Sequence, residues 1–159
     1  MLCGARFVLA FAVMASLAAC ASAASAPAQV TRVVSTTSFG MCVGYCTTRL
    51  EITEGQAVLT REARGGRGAP RDLPEQRFTT QLTPAEWQDI QRLAANVDFD
   101  ALPDTIGCPD CADSGAEGLT IEGPSGAESV AIEFRAAVPE AQPLLDRVRA
   151  FRDRLTPPD

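Results

Sequence analysis

Four cysteines stand in two close pairs, Cys42-Val43-Gly44-Tyr45-Cys46 and Cys108-Pro109-Asp110-Cys111. Side chains of this type and spacing can do three kinds of chemistry. Oxidised, they staple loops into disulfides. As thiolates, a Cys-x3-Cys and a Cys-x2-Cys together approximate the ligand spacing of a tetrahedral zinc site. A lone Cys-x-x-Cys can also run thiol–disulfide exchange, as in thioredoxin-type proteins, where a helix N-terminus lowers the pKa of the attacking thiol. Here the residues after the second pair, Ala112-Asp113-Ser114-Gly115-Ala116, read as a loop. The acids Asp104, Asp110, Asp113 and Glu117 would raise a nearby thiol pKa. Structural disulfides are therefore the leading reading, and a redox or zinc-binding pair is the alternative.

Little else in the chain can serve as a nucleophile or base. Its 159 residues include 14 basic side chains against 20 acids, a formal net charge of −6. Every basic residue is Arg, with neither Lys nor His. Ser-His-Asp and Cys-His catalysis, imidazole metal sites, Schiff bases and Lys-containing phosphate loops are excluded on composition. An acidic chain with one short Arg-rich stretch also lacks the electrostatic footprint of a nucleic-acid binder. Catalytic residues, resident metals and cofactors are expected to be none.

The other two cysteines, Cys3 and Cys20, lie in the N-terminal segment. One basic residue, Arg6, precedes an apolar run from Phe7 to Ala19. That is the layout of an export signal, and too short for a comfortable membrane span of about 20 residues. The run ends in Leu17-Ala18-Ala19-Cys20, which resembles the lipobox of bacterial lipoproteins. The resemblance implies cleavage before Cys20, a diacylglycerol on its sulfur and acylation of its new amino group. With Ala rather than Asp at position 21, the sorting rule of such proteins implies the outer membrane, facing the periplasm. The rival is cleavage at Ala21-Ser22-Ala23 or Ala24-Ser25-Ala26, releasing a soluble periplasmic or secreted protein. Residues 1–19 are thus read as signal peptide, 20–29 as an Ala/Ser-rich tether, and 30–156 as a single domain. Export favours oxidised cysteines at positions 42, 46, 108 and 111.

Four cysteines permit three pairings. Pro109 and Asp110 suit the central positions of a type I turn, which brings Cys108 and Cys111 within bridging range. Cys42 and Cys46 would lie about 13 Å apart in a fully extended chain; Gly40 and Gly44 let it curl. By chain entropy a local bridge contributes about 2 kcal/mol, a bridge between the two segments about 4. Local pairs need no long-range fit and are favoured, with crossed pairs the open alternative.

The elements that must carry these loops show in the periodicity. Val30–Thr37 reads as a strand, and Arg49–Thr53 turns at Glu54-Gly55 into Ala57–Ala63 as a hairpin. Residues 64–75 form a Gly/Pro/Arg-rich loop, and Arg77–Leu82 alternates again. Thr83-Pro84-Ala85-Glu86 is a capping box with Pro at the first helical position. Leu82 and Trp87 make its hydrophobic staple, and Trp87, Ile90, Leu93, Ala94 and Val97 form one face. A second hairpin runs through Leu119 and Ile121, the turn at 123–126, and Val130, Ile132 and Phe134. A second helix starts between Pro139 and Pro143 and ends at Leu155, with Glu140 and Asp146 toward its start and Arg149, Arg152 and Arg154 toward its end, as the helix dipole favours. The expected fold is α+β: an antiparallel sheet of two hairpins plus extra strands, with two amphipathic helices on one face.

From Gly40 onward, Cys42, Gly44 and Cys46, followed by Leu50 and Ile52, resemble an uncharacterised family of bacterial exported domains and lipoproteins. Its members place Cys-x-Gly-x-Cys before a first hairpin. The resemblance covers about residues 40–155 and implies the same architecture but no activity. Many members carry Pro after the second Cys, where this chain has Thr47. Among remaining candidates, Arg64, Arg67 and Arg71 could meet an acidic partner or lipopolysaccharide phosphates, or simply keep their loop soluble. The acids from Asp104 to Glu117 lack the order of a calcium loop and read as solvated. Glu51 and Glu133 should point to solvent. The expected function is non-enzymatic: a membrane-anchored module that binds an envelope protein or polymer, without nucleic acid.

Overall fold

β-Branched Val33, Val34, Thr36 and Thr37 fill most of Arg32–Ser38, and this strand, β1, becomes the centre of the sheet. The computed structural model describes residues 29–64 and 73–157. β2 (Gly44–Thr53), β3 (Gln56–Arg64) and β4 (Gln76–Gln81) follow in sequence and lie in order on one side of β1. β6 (Ala116–Gly123) and β7 (Gly126–Glu133) lie on its other side, with the two-residue β5 (Thr105–Ile106) at the far edge. Among the described residues the result is a mixed α/β fold: a seven-stranded sheet, β4-β3-β2-β1-β6-β7-β5, with two α-helices.

All pairings are antiparallel except β5 with β7. β5 falls inside the acidic stretch read from sequence as loop. Two residues carry no readable alternation, and the pairing is made by the backbone: Asp104 carbonyl accepts the Ala131 amide at 2.9 Å. That contact covers part of the β7 edge.

Helix α1 (Pro84–Ala94) starts as its sequence dictates. Thr83 Oγ1 accepts the Glu86 amide at 3.2 Å, while Glu86 Oε2 accepts the Thr83 amide at 2.9 Å. Those Thr83 hydrogen bonds, with Arg154 nearby, hold the Glu86 carboxyl below its ordinary pKa. Leu82 and Trp87 are both buried at this staple. Helix α2 (Gln142–Leu155) starts and ends within the expected bounds but departs from expectation in the acids of its start. It begins late enough that Glu140 precedes it, and its first turn contains no acid. Gln142 does the local work instead, accepting the Val138 amide with Oε1 and donating to Asp146 at 2.7 Å. Arg152 and Arg154 occupy the last turn.

One contiguous core joins Val33, Leu50, Ile52, Leu59, Leu119 and Ile132 of the sheet with Trp87, Ile90 and Ala94 of α1 and Leu144, Val148 and Phe151 of α2. A charged group sits in the same interior. Glu117 is in phase with Leu119 and Ile121 along β6 and is 1% exposed. Its carboxylate accepts from Arg149 (Nε 3.0 Å, Nη2 2.7 Å) and from Arg152 Nη2 at 2.9 Å. Arg152 Nη2 also donates to the Ser35 hydroxyl, and Arg152 Nε is buried without a partner among the described residues. The expectation that the Asp104–Glu117 acids are all solvated is thus corrected at Glu117. Among the described residues, no helix is long and apolar enough to cross a membrane.

Candidate functional site

Strand directions decide which loops meet. β1 and β7 end, and β2 and β6 begin, at the same end of the sheet, where β3 also ends. Both cysteine pairs therefore fall at one end, and the chain enters β1 at the other, about 23 Å away along seven residues.

Each pair is joined internally: Cys42 to Cys46, with Cα atoms 5.5 Å apart, and Cys108 to Cys111, with Cα atoms 5.4 Å apart. The first loop closes because the chain does curl. The β2–β3 register shifts between Tyr45 and Thr47, bulging the strand at Cys46, whose carbonyl accepts the Phe39 amide at 3.1 Å. The second loop differs from the expected type I turn. The Cys111 amide reaches the Cys108 carbonyl at 3.1 Å, but Asp110 is left-handed at φ 63°, ψ 9°. A left-handed third residue is the requirement of a type II turn, normally met by Gly or Asn. Asp110 is held there by its partners: its amide donates to Gly115 carbonyl at 3.1 Å and its Oδ1 accepts the Gly40 amide at 3.2 Å.

This last bond ties the two disulfide loops together. Phe39 packs over Gly115 and meets Phe134 edge-to-face, with ring centres 4.7 Å apart. Gly115 has to be glycine: its φ is +87°, and a Cβ there would stand 2.5 Å from the Phe39 ring. Glu133 is half-buried, not aimed wholly at solvent as expected. It lies over Gly107, and its Oε2 accepts the Cys108 amide at 3.1 Å. Glu51 is likewise only part-exposed, paired with Arg49 at 2.6 Å and with Arg32 at 3.8 Å. Glu122 grips Arg32 more closely, at 2.8 Å, and holds that guanidinium above its ordinary pKa.

Met41 and Val43, flanking Cys42, are the exposed large hydrophobics among the described residues, at 80% and 64%. Asp110 and Asp113, also exposed, lie beside Gly40. The root of the Arg-rich loop reaches the same end: Arg64 pairs in register with Gly44, Arg61 stacks 5.0 Å over the Tyr45 ring, and Tyr45 donates to the Pro74 carbonyl at 2.8 Å. Three features scattered over seventy positions of sequence thus share one surface. Arg67, Arg71, Cys20 and the whole 1–28 segment lie outside the described residues.

Sequence reasoning missed three participants, Phe39, Glu133 and the buried Glu117. Only Glu117 had left a signal, its phase with Leu119 and Ile121. Among the described residues, no group of three His, Cys, Asp or Glu side chains is placed to hold a metal ion. No protein-family model matches the chain, and no curated protein matches it significantly.

Proposed function

We propose that the protein is a lipid-anchored envelope module which binds another envelope protein or polymer through the disulfide-loop end of its sheet, without catalysis of its own. The observation that carries this reading is the abutment of two cross-linked loops that hold Met41 and Val43 out in water. Exposed apolar residues on a stiffened loop lose little conformational freedom on binding, which is what an anchor residue needs. The Leu17-Ala18-Ala19-Cys20 sequence supports export and acylation at Cys20, before a short tether leading to β1. With the anchor at that side, the loops face away from the membrane. The resemblance to exported domains with a Cys-x-Gly-x-Cys motif fits the same placement.

Both helices cover one face of the sheet in this reading. Core residues Val33, Ile52 and Ile121 stand directly opposite one another in register, so they share a side. The alternate positions Arg32, Thr53 and Glu122 are polar, which suits an open face. Arg64, Arg67 and Arg71 are secondary contacts for acidic groups of the partner.

Two measurements test this. Mass spectrometry of the protein isolated from envelopes should find a mature chain beginning at acylated Cys20; an unacylated N-terminus beyond Cys20 refutes the anchor. Capture from envelope extract should retain a partner that is lost with Met41→Ser/Val43→Ser but kept with Glu128→Gln at the opposite end. Retention by the double variant refutes the loop assignment, and Arg64→Ser/Arg67→Ser/Arg71→Ser measures the contribution of the Arg-rich loop.

A further inference from the structure

The two disulfides have opposite surroundings. Cys46 is 1% exposed and bulged into the sheet, and Cys42 is only part-exposed. Cys108 and Cys111 are both exposed. Exchange requires a thiolate to reach a sulfur from outside, so access sets the rate when the attacking thiol is the same. Chain entropy does not separate the pairs, because loops of four and five residues close at nearly equal cost. The backbone does separate them. Asp110 (φ 63°), Ala112 (φ 49°) and Asp113 (φ 61°) are left-handed within the loop that Cys108–Cys111 closes or borders. L-residues resist that conformation, and opening the crosslink removes one of the constraints that hold them in it.

We propose that Cys108–Cys111 is a redox-addressable clasp: an external dithiol opens it while Cys42–Cys46 stays closed, and its opening releases the Met41–Val43 loop. The chemistry stands without the binding reading; only the consequence for partner contact rests on it. In the first step one thiolate of the dithiol attacks a sulfur of the pair. The Cys108–Cys111 bond breaks, a mixed disulfide forms, and the departing cysteine thiolate takes a proton. The second thiolate of the dithiol then attacks the mixed disulfide, closing the reductant's own disulfide and releasing the other cysteine, which is protonated in turn. Two electrons and two protons pass from dithiol to protein. The link to the neighbouring loop is the Asp110 carboxylate, which accepts the Gly40 amide. Once Asp110 is free to leave its left-handed position, that bond is lost.

The probe is dithiothreitol, added to the oxidised full-length protein under native conditions. Samples are quenched with N-ethylmaleimide over time and labelling is read at each cysteine by peptide mass spectrometry. Labelling at Cys108 and Cys111 should be at least tenfold faster than at Cys42 and Cys46; a smaller ratio, or the reverse order, overturns the proposal. In a Cys108→Ser/Cys111→Ser variant, Cys42–Cys46 should keep its slow rate. Its acceleration would show that the second loop, and not burial, was the protection. Amide exchange at Gly40 should rise at least tenfold after selective alkylation of the opened pair, and an unchanged rate overturns the coupling. Partner capture with the oxidised Met41→Ser/Val43→Ser variant reports on the binding reading separately.

Discussion

Replacing Glu117 with Gln keeps the shape of the side chain and removes its charge. In the native protein one carboxylate with no exposed side-chain surface answers two guanidinium groups, accepting three N–H bonds of 2.7–3.0 Å. Charge-assisted bonds of this kind contribute about 1.5–3 kcal/mol each. The amide oxygen of Gln can retain the two from Arg149 or the one from Arg152, while its NH2 group opposes the other arginine. The larger effect is a pair of desolvated cations left without a counter-charge; breaking buried ion pairs costs about 3–5 kcal/mol. Glu117→Gln should therefore lose about 3–4 kcal/mol, a large share of the 5–15 kcal/mol typical of a domain. Urea unfolding followed by the fluorescence of the lone, buried Trp87 measures it. The companion is Glu117→Leu/Arg149→Leu/Arg152→Leu, which removes the charges together. Apolar replacement of a whole buried cluster is often neutral or stabilising, so the triple variant should lie within about 1 kcal/mol of native. A loss below about 1 kcal/mol for Glu117→Gln would refute the claim that the carboxylate is desolvated between two cations.

Removal of the α1 cap by Thr83→Ala should cost about 1 kcal/mol in the same unfolding assay. Because the folded Glu86 carboxyl is depressed below its ordinary value of about 4.3, the unfolded chain binds its proton first as pH falls; the stabilisation is full above that value and disappears through the lower folded value. Glu86→Gln should flatten that part of the acid limb in urea titrations between pH 6 and pH 2. Gly115→Ala combines a positive φ with a clash against Phe39 and should destabilise by about 1–3 kcal/mol; a neutral result would mean the Phe39 ring moves freely. Cys42→Ser/Cys46→Ser should lose about 2 kcal/mol of stability to chain entropy, seen as a lower urea midpoint.

Local signals carried the helices and most strands. Thr83-Pro84-Ala85-Glu86 specifies a helix start through contacts within four residues, so it is readable without tertiary knowledge, and the cap is present to the atom. The start of α2 was harder, because no side chain caps it and Gln142 bonds back to Val138 across a bend that periodicity does not register. β5 was invisible because its pairing is made by main-chain groups in two residues. The cysteine spacing pointed to local closure, but not to the meeting of the two loops. That follows from strand order, since β6 lies next to β1 although some eighty residues separate them in the chain. The turn type failed at Asp110 for a related reason: its left-handed backbone is held by Gly40 and Gly115, partners from two different segments. Glu117 reads as a surface acid until two arginines of α2 are seen to reach it.

β1 is flanked by seven paired residues on each side, and it runs directly from where the chain enters the sheet to the Phe39–Cys46 loop. Suppose a partner holds Met41 and Val43 while the N-terminus is tethered. Tension then travels along a single strand whose backbone is already extended, and the covalent chain carries it. The hydrogen bonds of the other strands and both helices lie beside the load path, not in it. Such a pull would therefore load β1 along its length without peeling the sheet, and the domain would behave under force as a stiff link.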